Sequence, residues 1–263
     1  MYYFLYQEKE IIFNHMSYCF ITVRLSSSRL KKKCFLKLEE KTILDHIILR
    51  LKKFRLIPII CTTDLKIDKG FKKFANKHKI KIYFGSNKNK IKRWLDCAKN
   101  FKIKKFHTVD ADDIFFDHNS IKKSMILLNK FDIVEPSSNS RNGAATEGYS
   151  FKTVSLNKII DKMDLNSNKL DIEMIDNIIK KSSKFLKIIK LKNARYITKK
   201  SFRLTLDYKE DFILLRKIYL KFGSYESRKN INSYLNKNLN LRNINFFRNI
   251  DWRNKQIKQL KNG

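Results

Sequence analysis

Tyr18-Cys19-Phe20-Ile21-Thr22-Val23 runs directly into Arg24-Leu25-Ser26-Ser27-Ser28-Arg29-Leu30-Lys31-Lys32-Lys33, and the junction between the two decides the fold. The first segment is short, aromatic and β-branched, and it gives way to serine-rich turn chemistry, so it reads as a buried strand. The loop then lies at that strand's carboxyl end, which in open α/β sheets is where ligands bind. Serine hydroxyls and backbone N–H groups donate to phosphate oxygens, and Arg24, Arg29 and Lys33 offset negative charge. Three lysines in a row read by themselves as a solvated face. The phosphate reading is favoured because Arg24 and Arg29 lie inside the turn rather than on a helix.

Downstream, strand-like and helix-like segments alternate. Thr42 to Lys53 reads as a helix, Ile57 to Thr63 as a strand, Lys66 to Lys79 as a helix, and Lys81 to Phe84 as a strand that turns at Gly85. Lys88 to Asn100 carries Ile91, Trp94, Leu95 and Ala98 at helical spacing. Lys105 to Val109 is strand-like, Ile121 to Lys130 helical, and Phe131 to Val134 strand-like again. This alternation predicts βαβ units and a mostly parallel sheet, a Rossmann-like three-layer α/β sandwich. The six glycines form neither G-x-G-x-x-G nor G-x-x-x-x-G-K-[ST]. Any nucleotide phosphates must therefore be held by the Ser/Arg/Lys loop.

A second constellation follows the strand at Lys105: Val109-Asp110-Ala111-Asp112-Asp113-Ile114-Phe115-Phe116-Asp117 gathers acids in a very basic chain. Carboxylates at a strand end suit a hard cation, and Mg²⁺ takes one or two of them together with water and substrate phosphates. Asp117, just ahead of the helix, reads as its N-cap. Far downstream, Phe202-Arg203-Leu204-Thr205-Leu206-Asp207-Tyr208-Lys209-Glu210-Asp211 ends a strand-like run in a helix-start signature, with Asp207 as N-cap and Glu210 three residues later.

These segments together resemble the cytidylyltransferases that make CMP-activated acidic sugars: the CMP-Kdo and CMP-sialate synthetases and the related spore-coat polysaccharide proteins. Arg24, Ser27, Ser28, Arg29, Leu30 and Lys33 match the family's amino-terminal pattern A-R-x-x-S-T-R-L-P-x-K in register. Ser26 stands where close relatives carry Gly, and Lys31-Lys32 where Pro-Gly is usual, which removes a stiffener and a hinge. The acidic stretch resembles T-G-D-x-P-x-x-D, which implies a metal-binding role for Asp112. The downstream element resembles R-x-T-[VI]-D-T-P-E-D-L and implies the same role for Asp207, leaving Glu210 and Asp211 structural. Gly85 to Trp94 is similar to G-S-x-x-D-V-L-x-R-Y, placing Arg93 near the nucleotide. Gly143 to Phe151 is similar to a sugar-side loop, G-L-D-x-E-x-F-S-F, and points to Glu147 and Tyr149, with Ala145 replacing an acid. Thr62 and Thr63, at the end of the second strand, are candidates for base or ribose contacts. The resemblance implies a nucleotide-diphospho-sugar-transferase type of fold. It also implies a Mg²⁺-dependent enzyme acting on CTP and an acidic sugar, with Arg29 and Lys33 clamping the triphosphate.

Composition limits the alternatives. Lys and Arg number 58 against 25 Asp and Glu, a net charge of +33, which a nucleic-acid binder would share. The cations are spread from end to end among Asn and Ile, as codon bias in an AT-rich genome produces. No zinc finger, RNP-like signature or Gly-x-x-Gly loop accompanies them. Nucleic acid is accordingly the less favoured partner, and a non-catalytic nucleotide- or nucleic-acid-binding protein on the same fold is the alternative function. Four cysteines without C-x-x-C spacing and five histidines without a zinc pattern read as a cytoplasmic, reduced protein lacking a zinc site. No apolar run is long enough to span a membrane. Residues 1–16 read as a dispensable extension that is not a signal peptide, 17–222 as the nucleotidyltransferase domain, and 223–263 as a helical appendage. The appendage either covers a sheet edge or forms the contact of a homodimer.

Overall fold

The computed structural model describes residues 17–25, 29–137, 148–167, 170–172, 175–192 and 202–254, together with the backbone of 255–261. Strand β1 (Ser17–Thr22) pairs in parallel with β4 (Leu56–Thr63) on one side and with β6 (Lys105–Asp110) on the other. Strand β5 (Lys81–Gly85) extends the sheet in parallel beyond β4. On the far side β8 (Ser150–Lys152) runs antiparallel between β6 and β7 (Ile133–Glu135), and β9 (Ile188–Lys190) closes that edge, parallel to β7. The order is β5-β4-β1-β6-β8-β7-β9, and a short hairpin, β2 (Lys37–Leu38) and β3 (Lys41–Thr42), stands apart. The chain builds outward from β1 to β5 before crossing back to β6, so the strand order reverses between β1 and β6. A crevice opens at such a switch point.

Alternation along β1 separates the two cores, because neighbouring side chains on a strand point to opposite faces. Cys19 and Ile21 join α1 (Ile43–Lys53), α7 (Lys209–Phe222) and α8 (Arg228–Lys237). Phe20 faces the other way, stacking on Phe106 at 4.1 Å between ring centroids and packing with α3 (Lys90–Asn100) and α5 (Thr153–Lys162). The result is the expected three-layer α/β sandwich. Helix α1 starts with a capping box in which Thr42 accepts from Asp45 N and the Asp45 carboxylate takes Thr42 N in return.

Several boundaries differ from the sequence expectation. The segment predicted as one helix from Lys66 is a 3₁₀ stretch (Lys66–Phe71) followed by α2 (Lys72–His78). Helix α3 begins at Lys90 because the Asn89 side chain accepts from Lys92 N. Helix α4 (His118–Leu127) starts earlier than predicted, immediately after its N-cap Asp117, which accepts from Asn119 N and Ser120 Oγ. The short helix α6 (Asp176–Ser182) precedes β9. The carboxyl-terminal segment is helical, ending in α9 (Arg248–Lys261). Its Ile231 and Leu235 are fully buried in the face core beside α1 and α7, so this part of the segment covers a face and not an edge. No described helix is long and apolar enough to cross a membrane, and all four cysteines are free and buried.

Candidate active site

Strands β1 and β6 end level, Thr22 opposite Asp110, and Ala111 N donates to Thr22 O at 3.1 Å. Past β1 the chain turns at Lys32, whose left-handed φ of 53° leads into a single 3₁₀ turn, Lys33–Phe35. Cys34 drops into the core while the Lys33 side chain crosses to the acids. Its Nζ donates to Asp112 Oδ2 at 2.5 Å and to Asp207 Oδ1 at 2.8 Å. Arg29 Nη2 reaches the same Asp207 oxygen at 2.9 Å. The two acidic segments are also stitched through the backbone, Leu206 N donating to Asp112 O at 3.0 Å.

The second oxygen of Asp207 is held from behind. Arg203, fully buried, donates through Nη2 to Asp207 Oδ2 at 3.0 Å and through Nε to Asp211 Oδ1 at 2.9 Å. Asp211 Oδ2 in turn accepts from Asp207 N at 2.8 Å and Tyr208 N at 2.9 Å. The helix start thus differs from the expected one. Tyr208 is the N-cap residue of α7, and the Asp211 carboxylate satisfies the free backbone donors, which releases the Asp207 side chain to face Lys33.

Charge is densely packed here. Burial works against the Lys33 ammonium, but Asp112 and Asp207 outweigh it and hold its pKa above the ordinary lysine value. Asp207 is buried too, yet Lys33, Arg29 and Arg203 together keep its pKa below the usual carboxylate value. Asp112 is pushed upward, first by burial and then by the Asp207 and Asp110 carboxylates, against the pull of Lys33. Asp113 is pushed up further by burial and by Asp112 and Asp110.

A cationic turn and paired acids meet at the switch point of the sheet, and comparison with known proteins gives the family. The sequence model of the cytidylyltransferase family matches residues 18–242. The chain belongs to the cytidylyltransferase family. An uncharacterized protein of Methanocaldococcus jannaschii is 27% identical over 235 residues, 86% of this chain and 92% of that relative. A cytidylyltransferase structure from Leptospira borgpetersenii serovar Hardjo-bovis superposes with a TM-score of 0.74 at 24% identity, covering 87% of this chain and 97% of the other. A CMP-2-keto-3-deoxy-manno-octonic acid synthetase solved with CTP gives 0.57 at 10% identity, covering 79% and 99%. These likenesses establish the nucleotidyltransferase fold.

At this candidate site of the cytidylyltransferase chain the donor set fits a divalent cation. Asp110, Asp112 and Asp113 bring carboxylate oxygens within 4.8 Å of one another. Asp113 Oδ1 is buried without a hydrogen-bond partner, an uncompensated acceptor of the kind a hard cation satisfies. Asp112 and Asp207 meet at one ammonium group, that of Lys33, so their carboxylates face a single point.

Other residues singled out from the sequence lie around this centre in different roles. Arg24 sits half-buried at the start of the loop. Thr63 and Asp68 are fully buried and hydrogen-bonded to each other, and Asp68 Oδ1 accepts from Leu25 N at 2.9 Å, anchoring the loop's first turn. Thr62 is fully buried, its hydroxyl without a partner. Arg93 is not a surface arginine: it is buried, and Nη1 donates to Ser86 O at 2.7 Å, bracing the turn after β5. Tyr149 donates to Asp176 Oδ1 at 2.6 Å, tying the start of β8 to α6. Ser27, Ser28 and Glu147 lie outside the described residues.

In the sequence alone Arg203 has no evident task, and Asp211 reads as a helix-start acid. The i, i+4, i+8 spacing of Arg203, Asp207 and Asp211 was the available signal. Only the folded chain shows one guanidinium spanning both carboxylates.

Proposed function

We propose that the chain joins CTP to an acidic sugar of the Kdo or sialic-acid class, giving a CMP-sugar and pyrophosphate for surface polysaccharide synthesis. The observation that carries this reading is the meeting of Arg29 and Lys33 with Asp112 and Asp207 at the switch point of the sheet. Family membership supports CTP as the nucleotide. The synthetase solved with CTP supports an acidic sugar as its acceptor.

An oxygen of the sugar attacks the α-phosphorus of CTP in line, and the bond to the β-phosphate oxygen breaks as pyrophosphate leaves. Charge accumulates on the departing group, so fixed cations aimed at it supply most of the acceleration. Arg29 and Lys33 bind the β- and γ-phosphates, Arg24 orients the triphosphate, and Ser27 and Ser28 donate to its oxygens. Mg²⁺ held by Asp112 and Asp207 supplies further neutralisation of phosphate charge when bound. Before nucleotide arrives, Lys33 is occupied by the two aspartates, which keeps its ammonium charged in a buried setting. Glu147 and Tyr149 are assigned to the sugar, and Thr62, Thr63 and Arg93 to the nucleoside.

The test is pyrophosphate release from each of the four nucleoside triphosphates with Mg²⁺ and a panel of acidic sugars. Release that requires CTP and one such sugar supports the reading. Release with a neutral sugar alcohol or another triphosphate, or CTP binding without any release, rejects it.

A further inference from the structure

The segment beyond residue 242, where the family match ends, carries no chemistry that its sequence announces, yet it is wired into the site. After a 3₁₀ stretch (Leu239–Ile244), Asn245 and Asn249 project inward and are both buried. Asn249 Oδ1 accepts from Arg203 Nη1 at 3.2 Å. Asn245 Nδ2 donates to Arg203 O and to Asp211 Oδ1, each at 2.9 Å. Arg203 therefore has every guanidinium nitrogen engaged: Nε on Asp211, Nη2 on Asp207 and Asp211, and Nη1 on Asn249. Outside this layer, Arg248 Nε and Nη2 grip both oxygens of Glu210 at 3.1 and 2.8 Å, fastening α9 to the first turn of α7.

We infer that Asn249 is a positioning residue for the active site, holding the Arg203 guanidinium in the plane from which it fixes the Asp207 carboxylate. The chemistry of the residue suits the task. Its amide oxygen takes one N–H of Nη1, which leaves Nε and Nη2 to the two carboxylates. With every guanidinium nitrogen engaged the fork resists turning about its Nε–Cζ bond, so Asp207 Oδ2 stays fixed while Oδ1 faces Lys33 and Arg29. Partners one layer out from a ligating carboxylate typically change activity or metal affinity by about 10- to 100-fold. The catalytic consequence rests on the proposed cytidylyl transfer; the hold on Arg203 does not.

The experiment compares Asn249→Ala, which removes the acceptor, with Asn249→Asp, which keeps one. Leu235→Ala serves as a destabilising control, being buried in the same carboxyl-terminal segment but outside the network. Side-chain ¹⁵N NMR of arginine-labelled protein follows rotation of the Arg203 guanidinium without reference to turnover, and kcat, KM for CTP and the thermal midpoint are measured alongside. The expected result is faster rotation of the Arg203 guanidinium in Asn249→Ala than in wild type, with kcat reduced about 10- to 100-fold and KM for CTP unchanged. Asn249→Asp keeps the restricted guanidinium and most of kcat, and Leu235→Ala lowers the midpoint while moving neither. An Arg203 still held in Asn249→Ala, or a kcat loss no larger than that of Leu235→Ala at equal folded fraction, overturns the inference. If the wild-type protein releases no pyrophosphate with CTP and any acidic sugar, the functional reading fails instead. The NMR comparison alone then decides the inference: a freed guanidinium supports it and an unchanged one overturns it.

Discussion

The Nζ of Lys33 lies 2.8 Å from Oδ1 of Asp207, a residue 174 positions away along the chain. The same ammonium lies 2.5 Å from Asp112 Oδ2, so one lysine at the carboxyl end of the first strand joins the two acidic segments. Replacing it with alanine leaves Asp207 paired with Arg29 and Arg203, and Cys34 still packs into the core beneath. Lys33→Ala is therefore expected to fold while its turnover falls about 10²- to 10³-fold, the usual cost of removing one preorganised donor. Steady-state pyrophosphate release measures this, and near-wild-type turnover contradicts the assignment.

Lys32, immediately before it, adopts φ 53°, a left-handed conformation that costs a residue with a Cβ about 1–2 kcal/mol. The family pattern that the loop resembles has glycine at this place. Lys32→Gly should relieve that strain while adding freedom to the unfolded chain, a net gain of up to about 1 kcal/mol. Urea unfolding reads the difference, and a clear loss of stability would show that the lysine side chain contributes to the turn.

Gly148 enters β8 against the backbone of Thr108: a Cβ placed there would lie 1.8 Å from Thr108 O. Its N–H donates to His107 Nε2, and Tyr149 N donates to Thr108 Oγ1, so the end of the loop proposed to face the sugar is clamped to β6. Gly148→Ala must displace that backbone, at a cost of about 1–3 kcal/mol. The expected outcome is a lower thermal midpoint and a raised KM for the sugar, with KM for CTP unchanged. Equal changes in both KM values would contradict a sugar-side role.

His107 is completely buried, and burial pushes its pKa down from 6.5 to about 3. Because Nε2 accepts from Gly148, Nδ1 carries the proton and donates to Ser150 Oγ at 2.7 Å. The stability it contributes is present above its unfolded pKa of about 6.5 and is lost as pH falls toward about 3, since only the unfolded chain takes up the proton in that window. His118, lowered to about 4 chiefly by burial, adds a slope of the same sign, so the informative quantity is a difference. The gap in stability between wild type and His107→Gln should be widest near neutrality and shrink as pH is lowered from 6.5 to 4. A gap independent of pH would mean that His107 is not held neutral.

What was legible in the sequence followed from local chemistry. The aromatic and β-branched run at Tyr18 announced β1, the hydroxyls and cations after it announced the loop, and Asp117 was read correctly as a cap. Strand β8 escaped because Ser150-Phe151-Lys152 is too short to show periodicity and takes its identity from pairing with β6 and β7. The start of α7 was misplaced by one residue because a carboxylate four positions on, Asp211, captures Asp207 N, a choice that depends on Arg203 drawing Asp211 inward. The contributions of Asn245 and Asn249 had no local signal at all. An asparagine among many acquires a task only when folding sets it beside a buried guanidinium.

Asp112 and Asp207 are proposed to share one divalent cation in the presence of CTP, and Mn²⁺ binding followed by electron paramagnetic resonance reads that sharing. Asp112→Asn and Asp207→Asn should each weaken Mn²⁺ binding to the CTP complex by at least about tenfold, both variants remaining folded. Wild-type Mn²⁺ affinity in either single variant would contradict it.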